Sequence, residues 1–176
     1  MSAASEKIDR AINRLAFAMA MAGGVVLTAL MVMTVISIGG RSLVWAGLGP
    51  IPGDFELVEV GTAFAVSAFL PWCQLQKGHV TVDIVLAKAG ARLNSAIDVF
   101  AHALMTAVAG LLTWRLFLGL MDKARYGETS FILQFPVWWG YAGCFVGLCC
   151  FVLVSAWTAF QSFSGLRQRA GATDRQ

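Results

Sequence analysis

The sequence predicts an all-α integral membrane protein with four transmembrane helices and a short in-plane amphipathic helix at the cytoplasmic side. Hydrophobic residues make up 58% of the chain and charged residues only 13%, whereas about 25% of a typical soluble chain is charged. The mean hydropathy of +0.71 indicates the same class of protein. Four apolar stretches are each long enough to cross a bilayer, which takes about 20 residues. We therefore expect the 176 residues to form a single membrane domain.

The four predicted spans cover about residues 15–38, 54–75, 93–120 and 136–160. Basic residues precede the first span, as they do in a secretory signal peptide: Lys7, Arg10 and Arg14. Its apolar run of about 24 residues is nevertheless longer than the 7–15 residues of a signal-peptide core. The first span should therefore remain in the protein as a transmembrane helix.

The distribution of lysine and arginine predicts the orientation in the membrane, because these residues are enriched in cytoplasmic segments. With both termini in the cytoplasm, nine of these residues lie inside and three lie outside; the three outside are Arg41, Lys123 and Arg125. The thirteenth, Arg115, falls within the third span. The bias predicts a cytoplasmic location for both termini.

The second span begins with three acids in the stretch DFELVE. Asp54 and Glu56 belong to its first turn, where negative charge is favourable beside the positive end of the helix dipole. Glu59 lies one turn deeper, at a depth similar to that of Arg115 on the third span. Because a charge in lipid normally finds a partner, we predict an ion pair between Glu59 and Arg115, with Glu56 and Arg41 as further candidate members. The alternative is that each side chain extends alone to the interface.

The connection after the second span predicts a cytoplasmic corner at Lys77, Gly78, His79 and Asp83. Gly78 permits a sharp turn, and His79 is expected to hydrogen-bond the backbone or Asp83. The next residues, about 80–90, have one apolar and one charged side, which is typical of a helix lying in the interface plane.

The fourth span carries three glycines on one helix face, at Gly140, Gly143 and Gly147. Small residues at this spacing allow two membrane helices to approach closely. The glycines therefore predict a packing surface, either for a helix of the same chain or for another subunit.

Three segments resemble the small membrane subunit of tripartite ATP-independent periplasmic (TRAP) transporters, the DctQ family. They are GDFELVE, AFLPWCQLQKGHVTVDIV and GETSFILQFPVWWGY, in this order along the chain. The block KGHVTVD, after a span that ends in a proline–aromatic pair, is the most specific of these motifs. The segment LAKAGARLN departs from the family, whose members often carry a proline near this point.

The resemblance implies a small permease subunit in the bacterial inner membrane that serves as a scaffold for a large TRAP membrane subunit, with which it forms a heterodimer. It also implies a periplasmic solute-binding protein as a further partner, and sodium-coupled uptake, or symport, of an organic acid such as a carboxylate. Membrane lipids surround such a subunit, and no nucleic acid is expected as a partner.

The residues themselves indicate neither an enzyme nor a cofactor site. The sequence has no phosphate-binding glycine loop, no nucleotide motif and no pairing of a nucleophile with a base. The alternative function is a haem- or quinone-associated membrane anchor subunit of a respiratory complex, for which His79 and His102 are the available axial ligands. A small self-contained exporter is a further alternative, but it requires an essential acid near mid-membrane, and Glu56 and Glu59 are too shallow for that role.

Overall fold

A computed structural model describes residues 3–76 and 91–173 of the chain. Within these residues there are four long helices: α1 (Ala3–Ser42), α2 (Asp54–Leu75), α3 (Ala91–Tyr126) and α4 (Trp138–Thr173). Each contains a stretch that is long and apolar enough to cross a membrane. The predicted fold class is thereby confirmed. The expected in-plane helix at residues 80–90 lies outside the described residues.

Three of the helices are longer than the apolar runs from which they were predicted. At a rise of 1.5 Å per residue, the 40 residues of α1 extend about 60 Å, roughly twice the thickness of the hydrocarbon core. Helix α2, in contrast, has the 22 residues of its predicted span and begins directly after Gly53, which adopts a left-handed conformation with φ of 75°. Polar residues thus continue the helices beyond the apolar stretch, where hydropathy alone no longer marks them.

The helices are arranged in the order α1–α2–α4–α3. Helix α2 packs against α1 on one side and against α4 on the other, α3 packs against α4, and α1 and α4 touch over a small area. Helix α4 therefore lies between α2 and α3. The end of the bundle at which α2 begins is called the hairpin end, because a hairpin-like loop between α3 and α4 lies there, and the opposite end is called the tail end.

The buried core consists mostly of small residues. Its fully buried members include Ala16, Ala65, Ala68 and Ala109, with Val154 as the largest apolar side chain among them. Many large apolar side chains are exposed instead, for example Met31 and Val35. This distribution is expected of a thin helical layer whose outer surfaces face lipid or a partner, since lipid replaces water around the spans.

Candidate functional site

Glu56 joins the start of α2 to a hairpin-like loop, residues 128–137, between α3 and α4. Its carboxylate accepts hydrogen bonds from the Ser130 hydroxyl at 2.7 Å, the Ile132 N–H at 2.8 Å and the Leu133 N–H at 3.1 Å. A carboxylate that accepts three bonds holds the loop more firmly than neutral groups do, since charge-assisted bonds are stronger. Glu56 is therefore a clamp between α2 and the loop, which we call the α3–α4 hairpin.

The α3–α4 hairpin has a defined backbone of its own. The Ser130 N–H donates to the Phe135 carbonyl and the Val137 N–H to the Glu128 carbonyl, both at 3.0 Å. Gln134 at its turn has a φ of 52°, a left-handed conformation that is uncommon for a non-glycine residue. The apolar tip remains accessible, and Phe131 is 98% exposed.

Leu133 fits against Gly53 at the start of α2. A Cβ atom built on Gly53 would overlap the Leu133 side chain, and the φ of 75° at Gly53 is itself one that glycine tolerates best. Lys123 near the end of α3 also forms an ion pair with Glu128 at the base of the hairpin. The hairpin thus contacts α2 and α3 as well as leading into α4.

Asp54 joins α1 to α2. It accepts a hydrogen bond from the buried Ser37 hydroxyl of α1, and that hydroxyl in turn accepts one from the Ile51 N–H at 3.3 Å. The second oxygen of Asp54 accepts from the N–H of the next residue, Phe55, at 2.8 Å. Arg41 lies close enough to Asp54 for electrostatic attraction. Ser37 is thus the polar link between the first two helices at the hairpin end.

The structure does not bring Glu59 and Arg115 together. Both side chains are exposed, and they lie on α2 and α3, which α4 separates. The ion pair found among the described residues is the one between Lys123 and Glu128. Similar depth is compatible with the same leaflet, but it does not establish which helices are neighbours.

The three glycines of α4 lie against α2 of the same chain. A Cβ atom on Gly140 would be 2.9 Å from Val60, one on Gly143 would be 3.2 Å from Phe64, and one on Gly147 would be 2.6 Å from the Ser67 hydroxyl. Between the two alternatives left open by the sequence, the structure places a helix of the same chain on this surface.

A second polar connection lies at the tail end. The Asp9 carboxylate of α1 accepts hydrogen bonds from the Trp157 indole N–H and from the Gln161 amide, both at 2.7 Å. The buried Gln74 of α2 donates to the Thr158 hydroxyl of α4 at 3.3 Å. Sequence analysis missed these contacts. The signal that was available is an acid near the start of α1, Asp9, together with a tryptophan of α4 that carries a hydrogen-bond donor.

The predicted corner residues Lys77, Gly78, His79 and Asp83 lie outside the described residues. His102, the other histidine, is half-buried on α3. In the part of the chain that the structure describes, no group of three His, Cys, Asp or Glu residues is placed to hold a metal ion.

An apolar groove of about 840 Å³ lies between α1, α2 and α4 near the hairpin end. Its lining includes Leu30 and Met33 of α1, Val60 and Phe64 of α2, and Leu133 and Phe135 of the hairpin. Such a lining provides van der Waals contact and offers almost no polar group to a charged solute.

The family model for the DctQ component of tripartite ATP-independent periplasmic transporters matches residues 30–165. The matched region contains α2, the α3–α4 hairpin and the three glycines of α4. This chain belongs to the DctQ family. No curated protein and no solved structure matches the chain.

Family membership makes the chain the small permease subunit of a TRAP transporter. The family is one of transporter components and not of enzymes, and it implies a complex with a large membrane subunit and a binding protein. Together with the four membrane-crossing helices, it indicates a multi-pass protein of the inner membrane. It does not favour the alternative of a haem- or quinone-associated anchor subunit.

Proposed function

We propose that this chain is the fixed scaffold of a sodium-coupled TRAP transporter that takes up an organic acid such as a carboxylate. It forms a heterodimer with the large membrane subunit, which carries the solute and sodium sites. The observation that supports this role is the way in which the described helices are tied to one another. Polar contacts join α1 to α2 through Ser37, α2 to the hairpin through Glu56, and α1 to α4 through Asp9.

A scaffold has to keep one shape while its partner moves. Contacts at both ends of the bundle and small residues along the α2–α4 and α1–α2 interfaces serve that purpose, because close-packed interfaces resist continuous deformation. A transport site near the middle of the membrane, in contrast, is typically built from broken helices and polar groups. The apolar groove between α1, α2 and α4 lacks that character.

The test is uptake by reconstituted vesicles. Proteoliposomes that contain the large subunit, this chain and the binding protein should accumulate a radiolabelled carboxylate when an inward sodium gradient is imposed. Omission of this chain should reduce the initial rate to background. Uptake at the full rate by the large subunit and binding protein alone would refute the requirement for this chain as a scaffold. An uptake rate that does not depend on the sodium gradient would refute the coupling to sodium.

A further inference from the structure

One face of α2 is left uncovered by the other residues that the structure describes, although α2 has neighbours on both sides. Its exposed members recur about once in each helical turn: Phe55, Glu59, the adjacent Thr62 and Ala63, and Val66. We call this set the α2 free face. The remaining circumference of the helix contacts α1 through Gly61 and Ala65, and α4 through Val60, Phe64 and Ser67. The α2 free face therefore points away from the groove and from both neighbours.

Glu59 is the charged member of this face. It lies five residues after Asp54, about 7.5 Å along the helix, and within the membrane-crossing segment Asp54–Leu75. Among the described residues it has no hydrogen-bond or ion-pair partner, whereas the Asp54 and Glu56 carboxylates have partners within the chain. The short stem of glutamate gives it less reach toward the interface than lysine or arginine has. An acid at this depth is costly in lipid and calls for a positively charged partner.

The other outward faces differ from this one in chemistry. The outward face of α1 presents Met21, Val25, Val32 and Ile36, which are all exposed and uncharged, as expected for contact with lipid tails. Arg115 is exposed on α3, and the long stem of arginine is able to reach the interface. The charge of Glu59 thus distinguishes the α2 free face from the outward face of α1, and the neighbouring small residues Thr62 and Ala63 permit close approach of another helix.

We propose that the α2 free face is the surface on which a transmembrane helix of the large subunit packs, and that Glu59 forms an ion pair there with a lysine or arginine of that helix. This inference rests on the proposed function, since it assigns a place and a chemistry to the partner that the scaffold role requires. A basic side chain can donate to the two acceptor oxygens of Glu59, and its charge offsets part of the cost of an isolated carboxylate in a medium of low dielectric constant.

The experiment measures how much large subunit remains with the affinity-tagged small subunit after both are extracted in mild detergent. Glu59→Gln should weaken the complex about tenfold, because loss of one member of a desolvated interfacial charge pair leaves the other unpaired. Glu59→Lys should weaken it further by placing like charges together. Glu6→Gln is the control for removal of an exposed acid, and it should retain the large subunit as the wild type does.

A steric pair tests the same face without a change of charge. Val66 on the α2 free face is 57% exposed and Val25 on the outward face of α1 is 65% exposed. Val66→Trp should release the large subunit, and Val25→Trp should not. Each variant should retain the helix content and elution volume of the wild-type chain when purified alone, since neither Glu59 nor Val66 holds the described part of the chain together.

The outcomes separate this inference from the proposed function. A wild-type chain that retains no large subunit would refute the proposed function itself. A wild-type complex that persists in both Glu59→Gln and Val66→Trp would refute only the α2 free face as the interface. If these substitutions instead abolished self-association of the chain while retaining the large subunit, the face would belong to a second copy and the inference would be overturned.

Discussion

The three acids at the start of α2 have three different surroundings, although they stand within six residues of one another. Asp54 accepts from the Ser37 hydroxyl and so fixes α1, and Glu56 accepts from the α3–α4 hairpin. Glu59 has no such partner among the described residues. The helical period explains the difference, because successive positions point in directions about 100° apart. Position on the helix thus determines whether an acid fixes the chain internally or is left for another molecule.

Substitution of Glu56 by glutamine should loosen the α3–α4 hairpin. Glutamine has the same shape as glutamate, but one of the two acceptor oxygens is replaced by an amide nitrogen, which is itself a donor. At least one of the three groups that donate to Glu56 would then face another donor and lose its acceptor. Amide hydrogen exchange of a peptide covering residues 128–137 should become several-fold faster, and the melting temperature of the purified chain should fall.

Glu59→Gln is the matched control for this substitution. It has the same chemistry one turn along the same helix, and in the isolated chain it should leave both the exchange rate and the melting temperature unchanged. Equal acceleration of hairpin exchange in the two variants would show that general loss of negative charge, and not the clamp, is responsible.

The sequence showed which charged residues need a partner better than it showed which partners they have. It identified Glu56, Glu59 and Arg115 as residues that need an explanation, because acids and bases in an apolar run are visible without a structure. It did not show that backbone N–H groups of Ile132 and Leu133 are the partners of Glu56, since every residue but proline offers such a donor. It also placed Arg115 opposite Glu59 when α4 in fact separates their helices.

At the scale of the helices, glycine and serine set the distance between α2 and α4. Gly147 faces the Ser67 backbone as well as its side chain, which leaves no room for a Cβ atom. Gly143 faces the Phe64 ring, whose rotation can relieve part of an overlap. The α2–α4 interface is thus closest near Gly147, where backbone meets backbone.

Gly147→Ala should therefore destabilise the bundle. The added Cβ would lie 2.6 Å from the Ser67 hydroxyl and 2.9 Å from its carbonyl carbon, so the two helices have to separate, at a cost of about 1–3 kcal/mol for overpacking. Thermal unfolding in detergent, followed by circular dichroism, measures the change.

Gly24→Ala provides the control because nothing lies within 4 Å of a Cβ at that position. It should leave stability unchanged or increase it by up to about 1 kcal/mol, since alanine favours the helix over glycine. A loss of stability of equal size in the two variants would argue against close packing at Gly147 as the cause.

Helix existence was predictable from the apolar runs, and α2 (Asp54–Leu75) spans the range expected for the second span. The ends of α1, α3 and α4 were not predictable in this way. These helices continue into polar residues, where hydropathy does not distinguish a helix from a loop. The start of α4 at Trp138 is displaced from the expected 136 because Pro136 and Val137 still belong to the hairpin. A hydropathy pattern indicates whether a segment lies in lipid or in water, and it indicates the backbone conformation of the segment only indirectly.

At the scale of the whole molecule, the described part of the chain is a layer of four helices joined at both ends. The hairpin end is held by side chains that accept from loop backbone, and the tail end by Asp9, which contacts Trp157 and Gln161. These tail-end contacts place the beginning of α1 and the later part of α4 on the same side of the bundle. The two termini should therefore emerge from the same face of the membrane, whichever face that is.

We expect both termini to emerge on the cytoplasmic face. The hairpin end carries Arg41, Lys123 and Arg125, whereas the sequence of the two terminal segments and of the connection after α2 contains nine lysines and arginines, and positively charged segments are retained in the cytoplasm. An alkaline phosphatase that is active only in the periplasm should be silent when fused after Arg175. The same reporter fused to a chain truncated at Gly127, after α3 and before the hairpin is complete, should be active. Activity at Arg175 with silence at Gly127 would reverse the orientation while leaving the fold intact, and would place the α3–α4 hairpin in the cytoplasm.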